Sequence, residues 1–182
     1  VANAADVNIG LNYPKTGPYS VQGLAQLRAA KMAVEEINAS GGILGNRIKL
    51  IKMDSQSKSY VAQRNVEKLI DEHGVEMVFG GSASSVAISG GKAAKSRGKL
   101  YFGTLTYSNA TTGKDGHRYL FRECYNAWMG AKVLSKYLNE KYSGKKFFYV
   151  TADYTWGWTT EKSIRQFSNT LDKKIHKRAY VP

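Results

Sequence analysis

The sequence predicts an α/β fold built on doubly wound parallel sheets. Three observations carry this reading. Short apolar or alternating runs recur along the chain, and stretches with apolar residues three and four apart separate them. Polar segments punctuated by glycine join the two kinds. Strands that alternate regularly with helices pair in parallel through right-handed crossovers.

Residues 7–13 alternate as a strand does, and in 20–38 Leu27, Ala30, Val34 and Ile37 fall on one helical face. Gly41-Gly42 stops that helix, because glycine takes a left-handed cap without a Cβ clash. Residues 47–54 read as the second strand. Ala62, Val66, Leu69 and Ile70 mark the second helix, and 76–81 the third strand. A small-residue helix over 84–95, weakened by Gly90-Gly91, leads to a fourth strand over 99–105. Residues 106–117 read as a loop and 119–124 as a short extended run. The next helix carries Ala127, Ala131, Leu134 and Leu138 on one side. Then come a strand over 145–153, a helix over 159–171 with Ile164, Phe167 and Leu171, and a strand over 175–181.

The composition, 42% hydrophobic and 23% charged, is that of an ordinary globular chain and excludes a disordered one. No apolar run reaches the roughly 18–20 residues of a membrane span. Cys124 is the only cysteine, so no internal disulfide forms, and its short extended run marks it as a structural thiol. Lys and Arg outnumber Asp and Glu by 27 to 14, a net charge of +13. No nucleic-acid motif accompanies that charge, so it reads as solvated helix faces rather than a nucleic-acid surface. Val1-Ala2-Asn3-Ala4-Ala5-Asp6 is small and polar, as expected just after signal-peptide cleavage.

In open α/β sheets ligands collect beyond the carboxyl ends of the strands. Here those loops hold hydroxyls and aromatics, little acid and no histidine, a composition suited to binding more than to catalysis. Gly80-Gly81-Ser82-Ala83-Ser84-Ser85 leaves a strand and opens a helix, which aims backbone N–H groups and serine hydroxyls at one point. A carboxylate or amide oxygen fits such a point; the plainer alternative is that Ser84 only caps its helix. Asp153-Tyr154-Thr155-Trp156-Gly157-Trp158 follows a strand of the second region, where aromatics can wall a ligand.

Catalytic patterns are absent. His73, His117 and His176 lie far apart, and no close pair of histidines or cysteines offers a zinc site. No G-x-S-x-G elbow exists. Ser89-Gly90-Gly91-Lys92 fails the phosphate-loop spacing, because Val86 and Ala93 stand where glycine and a hydroxyl residue belong. Asp54 ends a strand as a ribose-binding acid would. Yet Tyr13-Pro14-Lys15-Thr16-Gly17-Pro18 lacks the spaced glycines a dinucleotide needs. The chain reads as a binding module, with no metal and no cofactor expected.

Several stretches together resemble the type I periplasmic solute-binding family, which includes branched-chain amino acid, amide and urea receptors. They are Ile9-Gly10 leading into Thr16-Gly17-Pro18; Ala33-Val34-Glu35-Glu36-Ile37-Asn38-Ala39-Ser40-Gly41-Gly42-Ile43-Leu44-Gly45; Asp54-Ser55-Gln56-Ser57; the Gly80–Ser85 loop; and Phe147-Phe148-Tyr149-Val150-Thr151-Ala152-Asp153-Tyr154. The resemblance implies two lobes closing on a ligand. It assigns residues 1–118 to the first lobe and 119–182 to a crossover and the incomplete start of the second. It also implies ligand contacts from Ser82, Ser84 and Ser85, from Thr104, Thr106 and Tyr107, from Tyr154 and Trp156 of the closing lobe, and from Tyr19.

The expected function is that of an exported receptor, periplasmic or otherwise extracytoplasmic. It would deliver a small amino acid, amide or related carboxylate to the permease of an ABC-type uptake transporter. A sensory ligand-binding domain of a membrane signalling receptor is the alternative. Relative to the family the chain reads as truncated, and self-association through the surface so exposed is expected.

Overall fold

In the computed structural model, which describes residues 6–182, the chain forms two parallel sheets. The start read as a cleavage product, residues 1–5, lies outside the described residues. The larger sheet comprises β1 (Val7–Tyr13), β2 (Ile48–Asp54), β3 (Met77–Gly81), β4 (Leu100–Thr104) and β5 (Leu120–Arg122) in the order β2-β1-β3-β4-β5. Every pairing in it is parallel. Helices α1 (Ser20–Ala39), α2 (Ser59–Asp71) and α3 (Ser84–Ser96) make the crossovers. In the smaller sheet β6 (Tyr149–Ala152) pairs with β7 (Arg178–Val181), and α4 (Ala127–Tyr142) packs on α5 (Thr155–Phe167).

β1 is central, and its residues from Ile9 to Tyr13 are all buried, as a strand covered on both faces must be. Its successor in sequence, β2, lies to one side and β3 to the other, which makes the β1–β3 gap a topological switch point. Helices α2 and α3 pack together beside the sheet, and the core there joins Val66, Leu69, Val75, Val78, Tyr101 and Leu120. Gly90, read from the sequence as a weak point of its helix, has a packing reason. A Cβ there would stand 2.7 Å from the Tyr101 ring, so the glycine lets α3 lie on that buried aromatic.

Helix α1 ends as expected, with Gly41 and Gly42 at φ 99° and 77° and the Gly42 N–H bonded to the Ile37 carbonyl at 2.9 Å. Its predicted apolar face is only half covered. Leu27, Ala30 and Val34 are partly buried and Ile37 is exposed, and the face borders an apolar hollow of about 610 Å³. Ala25, Ala29 and Ala33 line it from the helix, and Ile9, Leu11, Leu50 and Phe79 from the sheet.

Several boundaries differ from the sequence reading. β5 is the fifth strand of the first sheet, tied by Tyr101↔Leu120 pairing, so that sheet runs past residue 118 to Arg122. β6 begins at Tyr149, because only from there does the backbone pair with β7. α5 begins at Thr155 and stops at Phe167, leaving Leu171 outside it and exposed. On α4, Leu134 is exposed, while the buried stripe is Ala127, Ala131 and Ser135.

Candidate ligand site

The switch point places the loop after β1 beside the loop after β3. Several strand ends on this side leave through strained backbone. Gln56 and Ser57 after β2, Ser82 after β3 and Leu105 after β4 all have positive φ, between 51° and 72°. Non-glycine residues in that region cost energy and persist only where the surroundings hold them.

Four helices open near these strand ends without a side-chain cap. The positions before α1, α2, α3 and α5 are Tyr19, Lys58, Ala83 and Tyr154, none of them capping, and none of the four helices has an acid in its first turn. By contrast α4 is capped by Asn126, whose side chain accepts from the Met129 N–H at 2.9 Å. Uncapped starts leave N–H donors and positive partial charge available to an anionic group.

The α3 and α5 starts meet across the lobes. Tyr154 and Tyr19 both pack on the buried cluster of Ala62, Ala83 and Val86. The Tyr19 hydroxyl donates to the Tyr154 hydroxyl at 2.8 Å, and the Trp156 ring lies 6.0 Å from that of Tyr154. Burial pushes the Tyr154 phenol well above its ordinary pKa, so it stays protonated and keeps its own O–H to donate. Gly157 makes this placement fit, since a Cβ there would stand 2.0 Å from the Ala152 carbonyl oxygen. Trp156 and Trp158 are therefore helical residues of α5 rather than loop residues.

The serine loop is shaped by its own hydrogen bonds. Ser82 is buried, and its Oγ accepts from Gln26 Nε2 at 2.8 Å. Ser84 does not cap α3; its Oγ accepts the Ser108 N–H at 2.9 Å, tying this loop to the one after β4. Ser85 is half-buried in the first turn of α3.

Three expected residues are not gathered with Tyr19, Tyr154 and Trp156. Thr106 is fully buried, its hydroxyl 3.0 Å from that of Thr111, so its hydrogen-bonding capacity is engaged inside its own loop. Thr104 lines the apolar hollow beside α1. Tyr107 stacks on Tyr125 at 4.7 Å, and its carbonyl accepts the Ala127 N–H at 2.6 Å, which places it at the crossing between lobes.

Sequence reasoning also missed a set of hydroxyls at the lobe junction. Ser108 Oγ lies 3.1 Å from Thr155 Oγ1 and 3.2 Å from Thr159 Oγ1. The density of hydroxyl and amide residues from Ser108 to Thr112 was the available signal. Asp54, weighed as a ribose-binding acid, has an internal role. Against the upward push of burial, hydrogen bonds from the Thr16 hydroxyl and from the backbone of Gln56, Thr16 and Lys15 hold its carboxyl below the usual range. Among the described residues, no group of three or more His, Cys, Asp or Glu is placed to hold a metal, and no helix is long and apolar enough to cross a membrane.

A family profile described as "Periplasmic binding protein" matches residues 6–182. The Leu/Ile/Val-binding protein homolog 8 of Brucella abortus is 33% identical over 121 residues, 66% of this chain and 30% of that protein. A periplasmic binding protein from Burkholderia mallei superposes over 99% of this chain and 48% of its own, with a TM-score of 0.86 and 25% identity. The branched-chain amino acid transporter substrate-binding protein of Streptococcus pneumoniae, solved with isoleucine, superposes over 97% of this chain and 48% of its own. There the TM-score is 0.78 and the identity 26%. The chain thus spans about half the length of the solved proteins it matches. With doubly wound parallel strands, a switch-point cleft and a family match along nearly its whole length, the chain belongs to the type I periplasmic binding proteins, a family of solute-binding proteins.

Proposed function

We propose that the full-length protein is an extracytoplasmic receptor that delivers a small amino acid, amide or related carboxylate to the permease of an ABC-type uptake transporter. The observation that carries this reading is the meeting of two uncapped helix starts, α3 and α5, beside Tyr19, Tyr154 and Trp156. Free N–H donors and a protonated tyrosine suit a carboxylate or carboxamide oxygen, while the aromatic rings suit a small apolar side chain. The isoleucine held by the pneumococcal relative is of that chemistry. Half-buried Ser85 in the first turn of α3 adds a hydroxyl to a site with little fixed charge, which favours a neutral or zwitterionic solute over a phosphate.

Thermal-shift screening of the full-length protein, followed by calorimetry, tests the reading. Amino acids or their amides should raise the melting temperature by the amount mass action requires, about 2.7 kcal/mol of stabilisation at a hundredfold excess over Kd. Stabilisation by nucleotides or sugar phosphates alone would overturn it.

A further inference from the structure

The second region ends, away from the cleft, in a basic pole. There α4 and α5 finish and β6 and β7 begin, so the loops 143–148 and 168–177 lie side by side. The Phe147 N–H donates to His176 Nδ1 at 3.1 Å, and Asn139 Nδ2 donates to the Phe167 carbonyl at 2.9 Å. Lys141, Lys145, Lys146, Lys173, Lys174 and Lys177 stand at this pole, and all six are exposed. Among the described residues none of them belongs to an ion pair. The acids of the same segments are Glu140 and Asp172, which leaves a balance of +4.

Solvated helix faces, the sequence reading of the excess charge, do not describe this group. Only Lys141 lies in a helix, and the other five are in the two loops. Nor do the helix ends need so many cations. Each carboxyl end carries about half a negative charge, so two of them offset about one of the four net positive charges.

Between the loops lies a hollow of about 550 Å³. Lys145, Lys146 and His176 line it together with neutral polar groups, and among the described residues no carboxylate does. Tyr142 and Ile175 border the same hollow, and they and Leu171 are exposed. A soluble anion such as phosphate would use the charge and leave these apolar side chains in water. A phospholipid surface uses both, because its phosphates attract lysines and the layer beneath takes aromatic and aliphatic groups.

We propose that this pole docks on an anionic phospholipid surface. A headgroup phosphate sits against Lys145 and Lys146, and Tyr142, Leu171 and Ile175 enter the interface around it. Tyr154 and Trp156 lie past the other end of β6, so docking leaves the cleft uncovered. The contact requires nothing of the solute, and its failure would leave the receptor reading untouched.

Co-sedimentation of the full-length protein with vesicles tests the proposal. Vesicles containing phosphatidylglycerol should bind it, less so as salt rises, and phosphatidylcholine alone should not. Lys145→Gln with Lys146→Gln should lower the partition roughly thirtyfold, about fivefold per lysine, and leave the melting temperature unchanged. Lys31→Gln with Lys49→Gln, at two exposed positions of the first lobe, should leave the partition as it is. Leu171→Ser with Ile175→Ser should weaken vesicle binding by about tenfold and keep its salt dependence. Equal partition to the two kinds of vesicle, or wild-type binding by the Lys145 and Lys146 variant, overturns the proposal. If inorganic phosphate releases the protein and the Leu171 and Ile175 variant binds as wild type does, the pole holds a soluble anion and the membrane assignment falls.

Discussion

The two regions of this molecule hold their helices to their sheets by different means. In the first lobe the interior is apolar: Val66, Leu69, Val75 and Val78 are fully buried around the Tyr101 ring. In the second region the buried side chains are largely polar, with Thr151, Glu161, Ser163, Arg165, Ser168 and Thr170 all withdrawn from water. Glu161 and Arg165 pair at 2.6 Å with side chains only 4% and 3% exposed. Thr151 donates to the other carboxylate oxygen at 2.8 Å, and Arg165 Nη1 donates to the Thr170 carbonyl at 2.8 Å. The Arg165 guanidinium also lies 4.0 Å from the Tyr149 ring centre. An apolar interior tolerates the loss of any one contact by degrees, whereas a buried charge network depends on every member being present. A two-stranded sheet adds little stability of its own, which makes that network the principal tie between α5 and β6.

Glu161→Gln should expose this difference most sharply. The variant leaves Arg165 buried with no counter-charge of its own, and losing one partner of such a pair costs about 3–5 kcal/mol. Arg178, 3.5 Å from Glu161, would also lose its carboxylate. Urea unfolding followed by hydrogen exchange should show the loss concentrated in α5, β6 and β7. If the exchange rates of those elements do not change, the network is not what holds them.

In the first lobe the matching experiment is Leu69→Ala. Leu69 is fully buried, and truncating it leaves a cavity worth about 2–5 kcal/mol, depending on how far Val66 and Ile70 close around it. Protection should fall in β1, β3 and α2 and not in α5. Equal loss in both regions would mean that the two interiors unfold as one unit.

Acid should distinguish the same two interiors without mutation. Burial pushes Glu161 upward, but the Thr151 hydroxyl, then Arg165 and Arg178, more than offset it, so its carboxyl sits below the ordinary range. A carboxylate with a lowered folded pKa contributes stability that is present above its unfolded value, about 4.3, and lost as pH falls through the folded one. The second region should therefore lose exchange protection from about pH 4.3 downward, while the apolar core of the first lobe holds. Glu161→Gln should abolish that difference in pH response.

Much of the first lobe was legible because its strands and helices carry their own periodicity. The strand Val7–Tyr13 and the helix ended by Gly41-Gly42 need no tertiary information. The second region was less legible for the same reason its interior is polar. A helix whose buried face is Gly157, Glu161, Ser163 and Arg165 shows no apolar stripe in its first half, so its start at Thr155 stays hidden until Gly157 is seen against Ala152. The expectation of a cleft came from the rule that α/β ligands gather at strand ends. Which hydroxyls face it did not follow. Thr106 and Ser108 sit two residues apart in one polar loop, yet one bonds Thr111 and the other reaches Thr155.

The smallest expected effect concerns the joint where the serine loop of the first lobe touches the loop that contacts the second. As a pure ligand contact, Ser84 would affect binding and leave stability alone. Its Oγ instead accepts the N–H of Ser108, a residue with no exposed surface. Ser84→Ala leaves that donor buried without its acceptor, at about 1–3 kcal/mol. The loss should appear as faster exchange at Ser108 and Asn109 and as a lower melting temperature in the absence of any ligand. Restoring a hydroxyl with Ser84→Thr should recover part of it, because the acceptor returns at the cost of one added methyl beside Val86. A Ser84→Ala protein with unchanged melting and exchange but weakened ligand affinity would assign the serine to the ligand instead and uncouple the α3 start from the Asn109 loop.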